Sequence, residues 1–466
     1  MIDGLKPYPK YEDSRQAWLG SVPSHWSILP NRAIFAEVKD RDHPDAEMLS
    51  ITITRGIVRQ KTLLSDSSKK DSSRQDKSVY KLVQPRDIAY NKMRAWQGAI
   101  GASELLGIIS PAYVVMRLRD ESNLPRYFHH LYRTPHFAKE AERWSYGITS
   151  DMWSLRPEHF KMIYTPQPPP EEQSAIVRFL DYVNSKLERT IRAKRKVIAM
   201  LNEQKQAIIH RAVTRGLDPT VSLKPSGISW LGDIPRHWEV LRIKQTVSIL
   251  RGKFTHRPRN DPSLYDGTYP FIQTGAVARA KKFITAYKQT LNEKGLAVSK
   301  LFPKGTLCLT IAANIGDVAV LDFEACFPDS IVGLVPHNEI EREYLFYVLR
   351  CMKPEFLLEA PVNTQGNLSV NRIGAMSIPR PKIKEQLVIV HHIESETNSF
   401  ESAITRLERE IELLREYRTR LVADVVTGKL DVREAAKNLP EENAEMEVSA
   451  EEMPVDEREL NEEVKE

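Results

Sequence analysis

Two stretches of the chain carry apolar residues spaced alternately three and four apart over roughly six heptads each. This spacing is typical of a helix that buries one narrow stripe against a second helix in a coiled coil. We call the stripe the seam. Lys194, Lys205 and Arg418 interrupt it, and they either face a partner subunit or extend their charged ends to solvent. The seam positions are Ile176, Leu180, Val183, Leu187, Ile191, Ile198, Leu201 and Ile208, then Ile389, Ile393, Phe400, Ile404, Leu407, Ile411, Leu414 and Leu421.

Prolines and glycines mark the ends of these two helices. Prolines between Pro166 and Pro170 precede the first helix, and Gly216 and Gly428 follow the two helices. Proline fits a helix start but not its interior, and glycine suits the left-handed residue after the last turn. The first helix ends where the second globular region begins, and the second helix begins where that region ends. We therefore expect an antiparallel pair about 65 Å long, with one globular region near each end.

The sequence also repeats itself around the helices. "WLGSVPSHW" (18–26) recurs as "WLGDIPRHW" (230–238), an offset of 212 residues. "TPQPPPEEQ" (165–173) and "VTRGLD" (213–218) recur as "IPRPKIKEQ" and "VTGKLD" at an offset of 213. The ends of the two halves match while their middles differ, which predicts an internal pseudo-twofold axis.

Between the repeated motifs, strand-like and helix-like runs are separated by Gly, Pro, Asp and Ser, as in mixed α/β domains. Strand-like runs lie at 48–58, 112–118, 305–312 and 330–336, and short helices are expected at 124–134 and 341–352. We expect mainly antiparallel, partly barrel-like sheets. The polar insert 65–78 is predicted to be a mobile loop, with a contact to a phosphate backbone as the alternative.

The predicted fold class is α+β, with two similar mixed α/β domains separated by a long antiparallel two-helix coiled coil. The predicted segments are domain 1 at 1–168, helix 1 at 169–216, domain 2 at 217–381, helix 2 at 382–430 and an acidic, disordered tail at 431–466.

Charge is divided unevenly along the chain. The net charge is +5, but residues 432–466 carry a net −9, which leaves +14 on the remainder. A basic body suits a polyanionic partner such as nucleic acid, although composition alone is equally compatible with a well-solvated surface. The N-terminal sequence has no apolar signal core and no apolar run is long enough to span a bilayer, so we expect a cytoplasmic protein.

Familiar catalytic and cofactor motifs are missing from the sequence. It has no G-x-G, Walker A, G-x-S-x-G or H-E-x-x-H pattern, and its three cysteines are far apart. His391 and His392 fall in a helix without a third ligand and are interpreted as structural. We therefore expect no catalytic residues, no metal and no cofactor on this chain.

The repeated tryptophan motifs, "NKMRAWQGAIG" (91–101), "SPAYVVMRL" (110–118) and P-x-P-x-x-x-E-Q at the start of each long helix resemble the specificity subunit of type I restriction–modification systems. The resemblance covers residues 8–431 and leaves out the acidic tail. It implies a non-catalytic subunit whose two target-recognition domains each bind one half of a bipartite, gapped double-stranded DNA site.

The resemblance also implies partners. The two helices would set the gap and dock two methyltransferase subunits, with restriction subunits as an optional addition. S-adenosylmethionine, ATP and Mg²⁺ would then be bound by those partner chains.

Candidate DNA-contacting residues are cations for phosphate and guanine, and amides for adenine. For Arg94 and Trp96 the alternative is a bracing role in the fold. The tryptophan motifs are nearly identical in both halves, whereas readers of unlike half-sites should differ, so we expect them to fasten each domain to the helices. The candidates are Lys92, Arg94, Gln97, Thr149 and Ser150 in domain 1, and Arg251, Lys253, His256, Arg257, Arg259, Asn363, Gln365 and Asn367 in domain 2.

Two other functions stay open at this point. One is a self-sufficient DNA methyltransferase or nuclease with unrecognised motifs, and the other is a coiled-coil scaffold without a nucleic-acid role.

Overall fold

The computed structural model describes residues 5–65, 77–147, 153–360 and 367–440. They form two compact units. Unit 1 comprises Met1–Lys194 and Arg409–Glu466, and unit 2 comprises Arg195–Glu408. Each unit therefore contains one globular domain and part of both long helices, which differs from the linear division into domains and helices predicted above.

The elements of the first half are short strands and helices followed by one long helix. The strands are β1 Tyr11–Asp13, β2 Ser21–Pro23, β3 Ser27–Pro30, β4 Phe35–Val38, β5 Leu49–Thr52, β6 Gly56–Arg59, β7 Lys81–Val83, β8 Ile88–Asn91, β9 Ile100–Ala102, β10 Gly107–Ile109, β11 Tyr113–Leu118 and β12 Tyr164–Gln167. The helices are α1 Asn31–Ile34, α2 Gln60–Ser65, a 3-10 turn Ala95–Gln97, α3 Pro125–Tyr132, α4 Pro135–Arg143, α5 Pro157–Met162 and α6 Pro170–Arg215.

The second half repeats this succession. Its strands are β13 Leu223–Pro225, β14 Asp233–Pro235, β15 Glu239–Arg242, β16 Val247–Arg251, β17 Tyr265–Phe271, β18 Phe283–Ile284, β19 Gln289–Leu291, β20 Leu301–Phe302, β21 Leu307–Thr310, β22 Val318–Leu321, β23 Ala325–Cys326, β24 Ile331–Pro336 and β25 Ser377–Arg380. Its helices are α7 Ile243–Thr246, a 3-10 turn Pro262–Leu264, α8 Thr274–Arg279, α9 Glu293–Ala297, α10 Arg342–Cys351, α11 Lys353–Leu358, α12 Val370–Ala375, α13 Ile383–Val426 and α14 Arg433–Lys437.

The main sheets of the two units have the same strand order. Unit 1 has β4-β11-β8-β9, all antiparallel, and unit 2 has β16-β24-β21-β22 with β18 added in parallel beside β22. The pairs β1–β2 and β3–β12 in unit 1 likewise correspond to β13–β14 and β15–β25 in unit 2. The predicted internal repeat is thus present at the level of topology.

Apolar side chains on one face of each main sheet pack against the short helices and against the long helices. In unit 1, Phe35, Phe128 and Tyr132 lie in one core with Ile176 and Leu180 of α6 and Val425 of α13. In unit 2 the matching core contains Tyr344, Trp238 and Leu307, together with Ile209 of α6 and Ile389 of α13. The long helices are therefore part of each core.

The two long helices run antiparallel within each unit. In unit 1, Arg418 of α13 contacts Glu188 of α6 and, one turn and a half further along α6, Lys194 contacts Glu410 at 2.5 Å. In unit 2, Lys205 forms an ion pair with Glu401. The three cations that interrupt the seam thus meet glutamates of the opposite helix, and no partner subunit is needed to explain them.

All sixteen seam positions are buried or half-buried. Burial is complete near the helix ends, as at Ile176 and Ile389, and partial further along, as at Ile198 and Leu407. At the end of the first stretch Ile208 is half-buried, whereas its neighbour Ile209 is fully buried. The spacing therefore identified the correct face of each helix, with Ile209 as an added core position.

Three expectations need correction. The run 48–58 is a hairpin, because Gly56 has a φ of +78° and Thr52 Oγ1 donates to its carbonyl, which closes a turn between β5 and β6. The described sheets are open, with edge strands such as β4 and β9, so the barrel-like expectation is wrong. The tail does not begin at residue 431, because Val432 and Ala436 of the segment around α14 are buried in the unit 1 core.

Candidate nucleic-acid interface

In unit 1 the repeated tryptophan motif is fastened to the first turn of α6. Trp26 Nε1 donates to Glu172 Oε1 over 2.9 Å, and His25 Nε2 lies 2.8 Å from Glu172 Oε2. The Tyr8 hydroxyl donates to the same Oε1, and burial together with this hydrogen bond raises the pKa of Tyr8, which keeps it protonated. Glu172 is only 5% exposed. A buried carboxylate therefore holds three side chains of the N-terminal segment.

Unit 2 contains the same arrangement with fewer partners. Trp238 Nε1 donates to Glu385 Oε1 over 2.9 Å, and His237 Nε2 lies 3.0 Å from Glu385 Oε2. Trp238 is fully buried, but the Glu385 side chain is 32% exposed. We call each set of contacts the tryptophan clasp.

Each clasp also contacts the glycine after the other long helix. Gly428 (φ +79°) and Gly216 (φ +72°) both adopt the left-handed conformation expected of a helix C-cap. A Cβ atom at Gly428 would lie 3.0 Å from the Trp26 ring, and one at Gly216 would lie 3.2 Å from the Trp238 ring. Each motif thus joins the start of one helix to the end of the other, and the prediction that it fastens its domain to the helices is confirmed.

A tyrosine in a short helix supports each helix end, a contact that the sequence analysis missed. The Tyr127 hydroxyl of α3 lies 3.1 Å from the carbonyls of both Pro166 and Val426. In unit 2 the Tyr344 hydroxyl of α10 lies 3.2 Å from the Pro379 carbonyl and 3.5 Å from that of Val213. The available signal was a tyrosine in the first turn of both short helices, in "PRYF" and "REYL".

The glutamine of each P-x-P-x-x-x-E-Q motif holds the segment that leads into the same short helix. Gln173 Oε1 accepts from the Leu124 backbone N–H over 2.8 Å, and Gln386 Oε1 accepts from that of Glu341 over 2.7 Å. Both glutamines are fully buried. The repeated motifs are therefore explained by positioning, which leaves DNA contact to residues elsewhere in each unit.

The loops that follow β8 and β21, which are equivalent strands of the two main sheets, provide such residues. We call residues 92–97 in unit 1 and 311–316 in unit 2 the strand loops. In unit 1 the Leu155 N–H donates to the Lys92 carbonyl over 2.9 Å, and the rings of Trp96 and Trp153 lie 5.5 Å apart. The strand loop of unit 1 is thereby held beside Trp153 and Leu155, which follow the candidates Thr149 and Ser150 in the sequence.

The individual candidates in unit 1 differ in exposure. Gln97 is exposed, while Lys92 and Arg94 are half-buried. The Arg94 carbonyl accepts from the N–H groups of Gln97 and Ala99, and Trp96 Nε1 donates to the Met93 carbonyl over 2.9 Å. The main chain at Arg94 and the Trp96 side chain therefore brace the loop. Thr149 and Ser150 lie outside the described residues.

Unit 2 repeats this attachment with different side chains. The Leu368 N–H donates to the Ile311 carbonyl over 3.0 Å, which corresponds to the Leu155–Lys92 bond of unit 1. Asn367, directly before Leu368, is exposed. Asn363 and Gln365 lie outside the described residues.

The basic segment that follows β16 lies at the same end of the unit 2 sheet. Arg251 Nε donates to the Asp329 carbonyl over 3.2 Å, and Arg259 pairs with the Asp329 carboxylate at 2.6 Å. The next residue, Ser330, accepts from the Ile311 N–H over 2.9 Å. The structure therefore brings these two arginines near the strand loop.

The other candidates in this segment have local partners or point outward. His256 Nε2 lies 2.9 Å from Asp261 Oδ2, and an Arg257 guanidinium N–H donates to the Phe254 carbonyl over 2.9 Å. Lys253 is exposed, as are Arg251, Arg257 and Arg259. The segment thus presents a basic surface while His256 is engaged by a carboxylate.

Unit 1 has cations in the equivalent place that the sequence analysis missed. Lys39 and Arg41 follow β4, much as Arg251 ends β16 and Lys253 follows it, and both Lys39 and Arg41 are exposed. The 39–42 segment is held beside Lys81, since the Leu82 N–H donates to the Asp40 carbonyl over 2.9 Å. Burial and then the neighbouring charge of Lys92 lower the pKa of Lys81. The sequence alone gave no signal for this equivalence, because it appears only when β4 and β16 occupy the same place in their two sheets.

Comparison with known proteins agrees with this repeated architecture. Residues 235–413 match the family model for the type I restriction modification DNA specificity domain. The putative type I restriction enzyme MjaX specificity subunit of Methanocaldococcus jannaschii is 22% identical over 451 residues, which cover 92% of this chain and 99% of that protein. These similarities indicate a specificity subunit of a type I restriction–modification system.

Two further similarities extend the comparison. The MjaVIII specificity subunit of the same organism is 25% identical over 292 residues, covering 59% of this chain and 64% of that protein. A solved structure from work on complex assembly and conformational transition of the type I R-M system has a TM-score of 0.61 at 16% identity, covering 88% of this chain and 99% of that one. This last similarity shows the fold.

The similarities indicate a recognition component of a restriction–modification complex, and they favour neither a self-sufficient enzyme nor a scaffold. Among the described residues, no group of three metal-ligating side chains is placed to hold a metal ion. Within the same residues, every helix is too short or too polar to cross a membrane. As the family model matches only residues 235–413, the equivalence of unit 1 rests on the shared clasp, tyrosine and glutamine contacts.

Proposed function

We propose that each unit binds one half of a bipartite, gapped DNA site and that the paired helices set the gap and dock two methyltransferase subunits. The observation that carries the proposal is that the two units share positioning contacts but differ in their strand loops. Both units hold their domains with the same clasp, tyrosine and glutamine contacts, but their strand loops carry different side chains. Two domains of this kind can bind two half-sites of different sequence. Cations at and just beyond the ends of β4 and β16 supply salt-dependent phosphate contacts, while the strand loops supply base contacts.

In this proposal the partner subunits catalyse the methylation and restriction reactions. S-adenosylmethionine, ATP and Mg²⁺ bind to methyltransferase and restriction subunits, and this chain selects the site. A subunit that selects sites on chromosomal DNA acts in the cytoplasm.

Sequencing of methylated bases in a host with and without this chain tests the proposal. We expect one motif of two defined half-sites with a fixed unspecified gap to lose methylation when the chain is removed. An unchanged methylation pattern would contradict the proposal, as would DNA methylation by the purified chain alone.

Charge reversal separates DNA binding from a scaffold role. Arg251→Glu with Lys253→Glu should weaken DNA binding by the complex and lower the slope of log affinity against log salt by about one per lost phosphate contact. The matched control reverses Lys244 and Lys304, which are exposed in the same unit at the opposite end of the main sheet. If both double variants weaken DNA binding equally, or if neither does, the result would favour a scaffold without a nucleic-acid role.

A further inference from the structure

The strand loop of unit 2 presents an asparagine that the sequence analysis did not select. Asn314 is exposed near the tip of residues 311–316, between Ala313 and Ile315. Among the residues that the structure describes, none forms a hydrogen bond with its side-chain amide, whereas its carbonyl accepts from Thr310 Oγ1. The main chain at Asn314 is thus fixed, while its side-chain amide is available for hydrogen bonds to a ligand.

The loop around Asn314 is held from several sides. Thr310 is fully buried, its Oγ1 accepts from the Asp317 N–H over 3.0 Å, and its carbonyl accepts from the Gly316 N–H over 2.9 Å. Lys353 Nζ donates to Asp317 Oδ1 over 2.6 Å, which ties the loop to α11. A loop fixed in this way holds the main chain of Asn314 in place before a ligand arrives, so binding has to order only the side chain, which lowers its entropic cost.

The tip also contains backbone strain. Ala313 has a φ of +60°, a left-handed conformation that is unfavourable for alanine, in which Cβ crowds the main chain. Such conformations occur preferentially at functional sites, where surrounding contacts maintain them. Here the strained residue directly precedes the exposed amide.

The position of the loop relates it to the basic segment. The Ile311 N–H donates to the Ser330 carbonyl, and Asp329 beside it contacts Arg251 and Arg259. The equivalent loop of unit 1 presents Gln97, which is also an exposed amide. Asparagine and glutamine amides can each donate to adenine N7 and accept from its N6 amino group in the major groove.

We propose that Asn314 recognises an adenine in the half-site bound by unit 2, with the cations after β16 contacting the adjacent phosphates. Ala312 and Ala313 have small side chains, so they leave room for the amide to approach a base edge. This inference rests on the proposed function, because it assigns one base contact within it.

The test compares methylated motifs in hosts that carry the partner subunits with either the wild-type chain or Asn314→Ala. We expect one adenine of one half-site to become degenerate, with the preference for that base falling about tenfold to a hundredfold. The other half-site and the gap should be unchanged. Asn338→Ala is the matched control, since Asn338 is an exposed asparagine of unit 2 beyond the opposite end of β24, and it should retain the full motif.

A second variant keeps the result decisive. Asn314→Asp preserves side-chain size but can only accept hydrogen bonds, so the preference at the same position should move from adenine towards cytosine, whose amino group donates. A full wild-type motif in Asn314→Ala overturns the inference. Loss of all methylation in both variants also overturns it, because Asn314 would then serve folding or assembly. If the wild-type chain itself yields no bipartite motif, the proposed function fails.

Discussion

The two units hold their helices with the same residues but not with the same burial. In unit 1 the clasp carboxylate, Glu172, is buried and bound by three side chains, whereas Glu385 of unit 2 is partly exposed and bound by two. Unit 1 also contains α14, whose Arg433 lies 5.1 Å from the Tyr8 ring and pairs with Asp431 at 2.7 Å. Equivalent motifs can therefore differ in energy, because the free energy of a contact depends on how far its partners are removed from water.

The largest expected difference between the units is at the clasp carboxylates. Glu172→Ala should lower the free energy of unfolding by about 3 kcal/mol, because the buried Trp26 N–H and Tyr8 O–H lose their acceptor. Glu385→Ala should cost about 1 kcal/mol, since water can reach the site. Urea unfolding of the purified chain, followed by tryptophan fluorescence, measures both. Glu172→Gln keeps one acceptor oxygen and should fall between them, and equal losses at the two sites would remove the asymmetry.

The paired tyrosines should give a smaller and more equal effect. Tyr127→Phe and Tyr344→Phe each remove a buried hydroxyl from two carbonyls, for an expected loss of about 1 kcal/mol, slightly greater at Tyr127 where both distances are shorter. The exposed Tyr146 and Tyr287 provide matched Tyr→Phe controls that should leave stability unchanged. A neutral result at Tyr127 would show that its hydroxyl does not hold the helix end.

Acid should destabilise unit 1 more than unit 2. Burial of Asp181 acts to raise its pKa, but the hydrogen bond from His130 and the charge of Arg126 outweigh it and lower the pKa below 3.8. Asp431 is lowered in the same way, with Arg433 outweighing burial. A carboxyl with a lowered folded pKa contributes stability above its unfolded pKa, and that stability is lost as pH falls through the folded pKa.

Thermal unfolding from neutral pH down to about pH 3 measures this contribution. Asp181→Asn should flatten the acid end of the profile, because the variant has no proton to bind at that site. A variant that keeps the wild-type profile would contradict the role of Asp181. In unit 2 the carboxyls with lowered pKa, Asp218 and Asp261, are bonded mainly to residues two positions away and should matter less.

The smallest expected effect is at the charged seam positions. Lys205→Met in unit 2 and Lys194→Met in unit 1 should each change the free energy of unfolding by less than about 0.5 kcal/mol, because a half-exposed ion pair contributes little and methionine suits the seam. Urea unfolding at low and high salt checks this. A loss well above that value in only one unit would show that its charge pair fixes the helix register.

Much of this architecture could be predicted because it depends on local patterns. The seam spacing located the buried faces of α6 and α13, and the repeated tryptophan motifs identified the two points of attachment. The carboxylate partner of each tryptophan could not be predicted, because Trp26 and Glu172 are 146 positions apart and only folding brings them together. For the same reason Lys39 and Arg41 were missed, since their equivalence to Arg251 and Lys253 depends on the paired sheets. The DNA contacts of every candidate residue stay predictions.

The sequence by itself determined the internal repeat, the two long helices, the uneven charge and the family resemblance, since each is written in spacing or composition. Only the tertiary structure decided which side chains converge on Glu172 and Glu385, why α14 belongs to the core, and which loops accompany the basic segments. Those features arise from contacts between residues far apart in the chain. The packing of a whole unit determines whether such a contact is buried. Burial in turn determines how much the contact contributes to the free energy of unfolding.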